Sequence, residues 1–200
     1  MSLRRRLVHG LLATACVLAF PAASPPSPKA AASRDTGGMT LSYGDVDYLH
    51  RWSKDGQNEY TSKSDPDLAA WRDMVTVNVF ETVTTGEQLA ELANRVVGNY
   101  QASGKILRTD SKPRTADRPA EHLLVAALGN PAFLEAAFAR LLLKDGVGYV
   151  VVRSHRVYGK AAGPAMSEWL QANGPQVEKT LMEWDQVPAR DALKRLPQSK

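Results

Sequence analysis

Apolar and polar residues alternate through "MVTVNVFETV", residues 74 to 83, with Val75, Val77 and Val79 set against Thr76, Asn78 and Thr82. A period of two is that of a strand with one face in a core. The period then lengthens. In "TTGEQLAELANRVVGNYQASG" the residues Leu89, Leu92, Ala93, Val96 and Tyr100 fall on one helical face. Thr84 and Glu87 fit a capping box there, and Gly104 stands where the helix can close.

Upstream, "HRWSKDGQNEYTS" predicts a hairpin closed by a three-residue loop, Lys54-Asp55-Gly56, with Gly56 in the left-handed region. That register sets His50 opposite Tyr60 and Arg51 opposite Glu59. Tyr48, His50, Trp52 and Tyr60 then share one face, and an Arg51–Glu59 ion pair lies on the other. Two Ala-rich stretches, "AEHLLVAALGNP" and "AFLEAAFARLLL", favour helix by propensity. The second, however, runs through a repeat of Lys-Asp-Gly into the β-branched "GYVVVRSHRVYG", so both are read as buried strands. Glu135 falls opposite His155 in one register of that hairpin and opposite Arg156 in the other. "KILRTDSKPRTADRP" begins as a strand and passes into a polar loop. "GPAMSEWLQANGPQVEKTLMEWD" predicts two helical segments broken at Gly174-Pro175, carrying Met166, Trp169 and Leu170, then Val177, Leu181 and Trp184. The expected fold class is α+β, an antiparallel β-sheet covered by helices.

The N-terminus alters the charge picture. Arg4, Arg5 and Arg6 precede a 14-residue apolar run and then "PAAS", the order of a secretory signal and too short for a membrane span. Residues 1 to 32 are read as signal peptide and leader, 33 to 38 as linker, 39 to 187 as a single domain and 188 to 200 as a polar C-terminal tail. The expected location is periplasmic or secreted. "ATAC" only loosely matches a lipoprotein box, because Ala13 stands where Leu is usual, so lipid anchoring is not expected. The net charge of +4 includes Arg4, Arg5, Arg6 and Lys29, and removing the leader leaves 21 basic and 21 acidic residues. The basic balance therefore gives no reason to expect a nucleic-acid partner. Cys16, the only cysteine, leaves with the signal, and with it go disulfides, thiolate nucleophiles and thiolate ligands.

The chemistry left to the domain is sparse. It has no G-x-S-x-G, H-E-x-x-H, Walker loop, dinucleotide fingerprint or EF-hand. His50, His122 and His155 are the candidate metal ligands, and would have to converge through the fold alone. Glu121 and His122, adjacent on a strand, point to opposite faces. Glu135 near His155 is an ion pair before it is an acid–base pair. Asp45 and Asp47 could share a strand face and hold a cation weakly. Trp52, Trp71, Trp169 and Trp184 are mostly core. Lys105, Arg108, Lys112, Arg114 and Arg118, interleaved with Asp110 and Asp117, make a mixed polar loop that could meet a partner. The candidate binding residues are His50, Trp52, Tyr60, His155 and Arg156.

The element order is a hairpin with Trp52, a valine strand after Trp71, a capped helix, three further strands and a helix with tryptophan. It resembles the PsbP/Mog1-like α/β/α sandwich, in an uncharacterised kind of secreted proteobacterial protein, over residues 40 to 185. The resemblance implies binding and assembly modules with no shared catalytic constellation, and it transfers no functional residue. The expectation is an exported cell-envelope protein, a non-catalytic binding or accessory module without a cofactor. Its partner would be an envelope protein or small ligand, with no transmembrane span in the mature chain. The alternative is a hydrolase or metal-dependent enzyme centred on His50, His122 and His155.

Overall fold

The computed structural model describes residues 38–200, so the segments read as signal peptide and leader, and all of the expected linker but Gly38, lie outside the described residues. Eight strands make one antiparallel sheet: β1 Thr40–Tyr43, β2 Val46–Lys54, β3 Gln57–Ser62, β4 Asp73–Phe80, β5 Gly104–Lys112, β6 Glu121–Gly129, β7 Phe133–Lys144 and β8 Val147–Tyr158. Their order is β1-β2-β3-β4-β8-β7-β6-β5. Helix α1, Gly86–Ser103, carries the chain from β4 to the far edge, and the β5–β8 meander returns it. Helices α2, Ala162–Glu183, and α3, Arg190–Lys194, follow. This is the expected α+β fold, with helices on both faces of the sheet.

Each face has its own core. On one, Tyr60, Val75, Val77, Phe138, Tyr149 and Val151 meet Met166, Leu181 and Trp184 of α2 and its C-terminal extension. On the other, the five apolar residues of α1 named above pack on Leu124, Ala126, Ala137, Ala139, Leu141 and Val152. Strands covered on both sides need apolar residues at every position, which is why β6 to β8 show no alternation. Alanines facing α1 are small enough to let that helix approach the sheet closely. Ala-rich composition here reflects packing, and it overrides helix propensity.

Lys54 pairs with Gln57 and Lys144 with Val147, so each hairpin loop holds two residues rather than three. Asp55 and Gly56 have φ of 49° and 84°, and Asp145 and Gly146 have 52° and 75°. Both central residues in the left-handed region make a type I′ turn, whose twist matches that of the strands. The shorter loop moves the register by one residue, and a β-bulge at Arg51 absorbs the shift. His50 still faces Tyr60, but Trp52 now faces Glu59. The expected Arg51–Glu59 ion pair does not form. Arg51 instead donates to Thr61 Oγ1 at 2.9 Å and to the Ser62 carbonyl at 3.1 Å. Trp52 leaves the face of Tyr48, His50 and Tyr60, and Ser53 turns inward in its place.

Three other expectations are corrected. The capping box is Thr85 with Gln88, one residue later than Thr84 with Glu87, because the Gln88 side-chain oxygen accepts from the Thr84 and Thr85 amides together. Helix α2 runs unbroken through Gly174-Pro175. Proline leaves the carbonyl four residues earlier without its helical donor, and that residue, Gln171, is exposed to water. The segment read as a polar tail holds α3, buries Leu193 and Leu196, and donates the Ser199 amide to the Ser53 carbonyl at 2.7 Å. Among the described residues no helix is long and apolar enough to cross a membrane.

Candidate functional site

His155 lies on β8 directly opposite Asp73, the first residue of β4. Its Nδ1 is 2.9 Å from Asp73 Oδ1, and Arg153, two residues along the same face, donates to that oxygen at 2.6 Å. Arg153 also donates to the Ser154 carbonyl. The imidazole stacks on the Trp169 indole of α2, with ring centroids 3.9 Å apart and planes 4° apart. Burial alone would push the Asp73 carboxyl up. The hydrogen bonds from His155 and Arg153, with the charge of Arg153, outweigh it and hold the carboxyl below its ordinary value.

A carboxylate that orients an imidazole is two-thirds of a nucleophilic triad. Among the described residues no hydroxyl or amine hydrogen-bonds His155 Nε2, and Trp169 covers one ring face. The cluster is built as a clip that fastens α2 to the end of the sheet.

His50 is buried on the same face, within a polar relay. Asn58 Nδ2 donates to the carbonyls of Val77 and Gly56 at 3.0 and 3.2 Å, which fixes its amide. Asn58 Oδ1 therefore accepts from Ser53 Oγ at 2.7 Å, and the Ser53 oxygen accepts from His50 Nε2 at 2.7 Å. A proton therefore sits on Nε2. Tyr60 meets the imidazole edge-on, its centroid 5.5 Å away. His122 lies on the opposite face, opposite Leu141, with Nδ1 2.9 Å from Ser111 Oγ. Burial lowers the pKa of both His50 and His122.

The fold does not bring the three histidines together. β3 and β4 separate His50 on β2 from His155 on β8, about 14 Å at the usual strand spacing. His122 is on the far side of the sheet. No three His, Cys, Asp or Glu side chains among the described residues are placed to share a metal ion.

Arg156 is fixed on the α1 face. Its guanidinium sits 3.8 Å from the Trp71 ring centroid and 4.0 Å from that of Phe133, and its Nε donates to Glu135 at 2.8 Å. Of the two registers open from sequence, the strand pairing takes Glu135 with Arg156. With Tyr158 Oη donating to the Trp71 carbonyl at 2.7 Å, this pins the β3–β4 loop to the sheet. Of the candidate binding residues, His50 and Tyr60 are brought together, while Trp52, His155 and Arg156 stand apart from them and from one another. Asp45 lies in the β1–β2 turn, and Asp47 accepts from Ser42 Oγ at 2.7 Å.

Two features escaped the sequence. Arg140, buried on β7, donates to Glu121 at 2.8 Å and to the carbonyls of Leu181 and Trp184 at 3.0 and 2.7 Å. A lone arginine within "AAFARLLL" was its only signal. The other is a groove of about 390 Å³ between β5 and α2, with Leu123 in its lining. Arg108, Asp110 and Lys112 line it from β5, and Pro175, Glu178, Lys179 and Met182 from α2. Arg108 pairs with Asp110 at 2.7 Å and reaches Glu178 at 3.5 Å, while Lys112 donates to the Met182 carbonyl. Half of the expected polar loop is thus an edge strand, almost wholly exposed along its nine residues.

No family model and no curated protein matches the chain. Among solved structures it is similar to the Ran-binding protein Mog1p of Saccharomyces cerevisiae, at a TM-score of 0.46 and 16% identity over 72% of this chain and 90% of that one. A Mog1 single-residue mutant gives a TM-score of 0.45 and 14% identity over 72% and 91%. Identity this low says nothing about what the chain binds.

Proposed function

We propose that this is an exported, non-catalytic accessory protein of the cell envelope. It holds an extended segment of another envelope protein along β5, in the groove beside α2. The observation that carries this is the open edge itself. Among the described residues β5 ends the sheet, so the backbone groups on its outer side have no strand there to pair with. A long edge of this kind accepts a further strand, its main-chain hydrogen bonds giving affinity and the flanking pockets giving choice. Charges of both signs along the groove would set the direction of the incoming segment. Export rests on the arginine-led apolar run at the N-terminus, and the hydrolase alternative is disfavoured by the unaccompanied Asp73–His155 pair.

A photoreactive residue at Leu107, 43% exposed on β5, tests the proposal in cells producing the full chain, with Val46, 44% exposed on β2, as control. The expected result is a discrete protein adduct from Leu107 in the envelope fraction, carried by chains shortened at the N-terminus, and none from Val46. Equal adducts from both positions, or none from either, would overturn the binding surface. Full-length chain in the cytoplasm would overturn export.

A further inference from the structure

The bulge at Arg51 has a chemical consequence on the α1 face. It removes the arginine that alternation would have placed opposite Glu59 and sets Trp52 there instead. Directly opposed side chains in an antiparallel pair have Cβ atoms about 5 Å apart, so the Trp52 and Glu59 side chains leave the sheet side by side. Both are half-buried. Gln57 Nε2 donates to Glu59 Oε1 at 2.8 Å, and among the described residues no Lys, Arg or His forms an ion pair with that carboxylate. Arg51 is engaged by Thr61 and Ser62. Arg156, whose field reaches Glu59, is bound to Glu135 and sandwiched between two rings.

The geometry points to a binding site for a small organic ammonium ion, formed by Trp52 and Glu59. A half-buried carboxylate without its cation supplies the charge, and an indole beside it supplies the π-surface that favours alkylated ammonium over a strongly hydrated metal ion. Gln57 orients the carboxylate without neutralising it. Burial raises the Glu59 pKa, as expected of a carboxylate that lacks a counter-ion. The site is on β2 and β3, well away from β5, and rests on no part of the accessory-protein proposal.

The test uses isotope-labelled chain and the indole Nε1–H resonance of Trp52, assigned by its loss in Trp52→Phe. Tetramethylammonium is the probe, tert-butanol its uncharged counterpart and sodium the ionic control. Saturable movement of that resonance with tetramethylammonium alone is expected, weakened about tenfold in Glu59→Gln, and the Glu59 backbone amide, followed in Trp52→Leu where the indole is gone, should report binding weakened about fivefold. Glu59→Gln keeps the side-chain volume, and an unchanged amide spectrum elsewhere shows for both variants that the fold is intact. No saturable movement, an equal response to tert-butanol, or full affinity in Glu59→Gln would each overturn the assignment.

Discussion

Replacing Arg140 by methionine is expected to destabilise the protein by about 3–5 kcal/mol. Methionine fills much of the same space, so the loss comes from the groups left behind. Glu121 would keep a charge in a site where its side chain is only 19% exposed. The carbonyls of Leu181 and Trp184, at the C-terminal end of α2, would lose the donor that replaces their missing helical partners. Each buried acceptor left unsatisfied adds about 1–3 kcal/mol. The double substitution Arg140→Met with Glu121→Leu removes the stranded charge but not the stranded carbonyls, so it should recover about half of the loss. Urea-unfolding midpoints of the unsubstituted chain and the two variants check both statements. A double variant no better than Arg140→Met would show that Glu121 contributes little.

Gly104→Ala is expected to cost about 3 kcal/mol or more. Its backbone is extended, with φ of 175°, so conformation does not demand glycine there. Space does. A Cβ at this position would lie 2.1 Å from the Ala127 carbonyl oxygen and 2.9 Å from Leu128 Cα. Both are backbone atoms of the paired strand, where Gly104 faces Leu128, and they can retreat only by opening β5 from β6. Gly98→Ala is the control. That residue lies in α1 with nothing within 4 Å of an added Cβ, so the same change should stabilise by about 0.5–1 kcal/mol. Opposite signs for these two variants would place the constraint at the α1–β5 junction.

Local periodicity made much of the fold readable. The alternation of Val75, Val77 and Val79 gave β4, and the spacing of Leu89 to Tyr100 gave all five buried residues of α1. The Ala-rich strands were recoverable because Lys-Asp-Gly forced a reversal between apolar arms that no helix could make. What failed was set by contacts distant in sequence or by one-residue counting. Lys-Asp-Gly suits a loop of two residues or three, and the difference, absorbed by the bulge at Arg51, moved Trp52 to the other face. Pro175 marks a helix end only when the preceding turn needs its buried hydrogen bonds, and Gln171 faces water. The site was less legible still. Asp73 and His155 are 82 residues apart, and no local pattern announces which strand will lie beside β8. Arg140 joins β7 to a helix end 41 and 44 residues later.

The three imidazoles are held apart by the sheet, His50 and His155 on one face with two strands between them and His122 on the other. Burial lowers the folded-state pKa of His50 and His122. The unfolded chain, titrating near 6.5, therefore takes up protons first, and stability should fall as pH drops through that value. Asp73, held below its ordinary value, contributes stability that is whole above the ordinary carboxyl range and is lost as pH falls from there through its lower folded-state value. Imidazole resonances followed by NMR against pH, and then against added zinc, test this directly. His50 and His122 are each expected to titrate below the ordinary value, and stoichiometric zinc is expected to move no two of His50, His122 and His155 together. Tight zinc binding that shifts two or three of these rings in concert would contradict it.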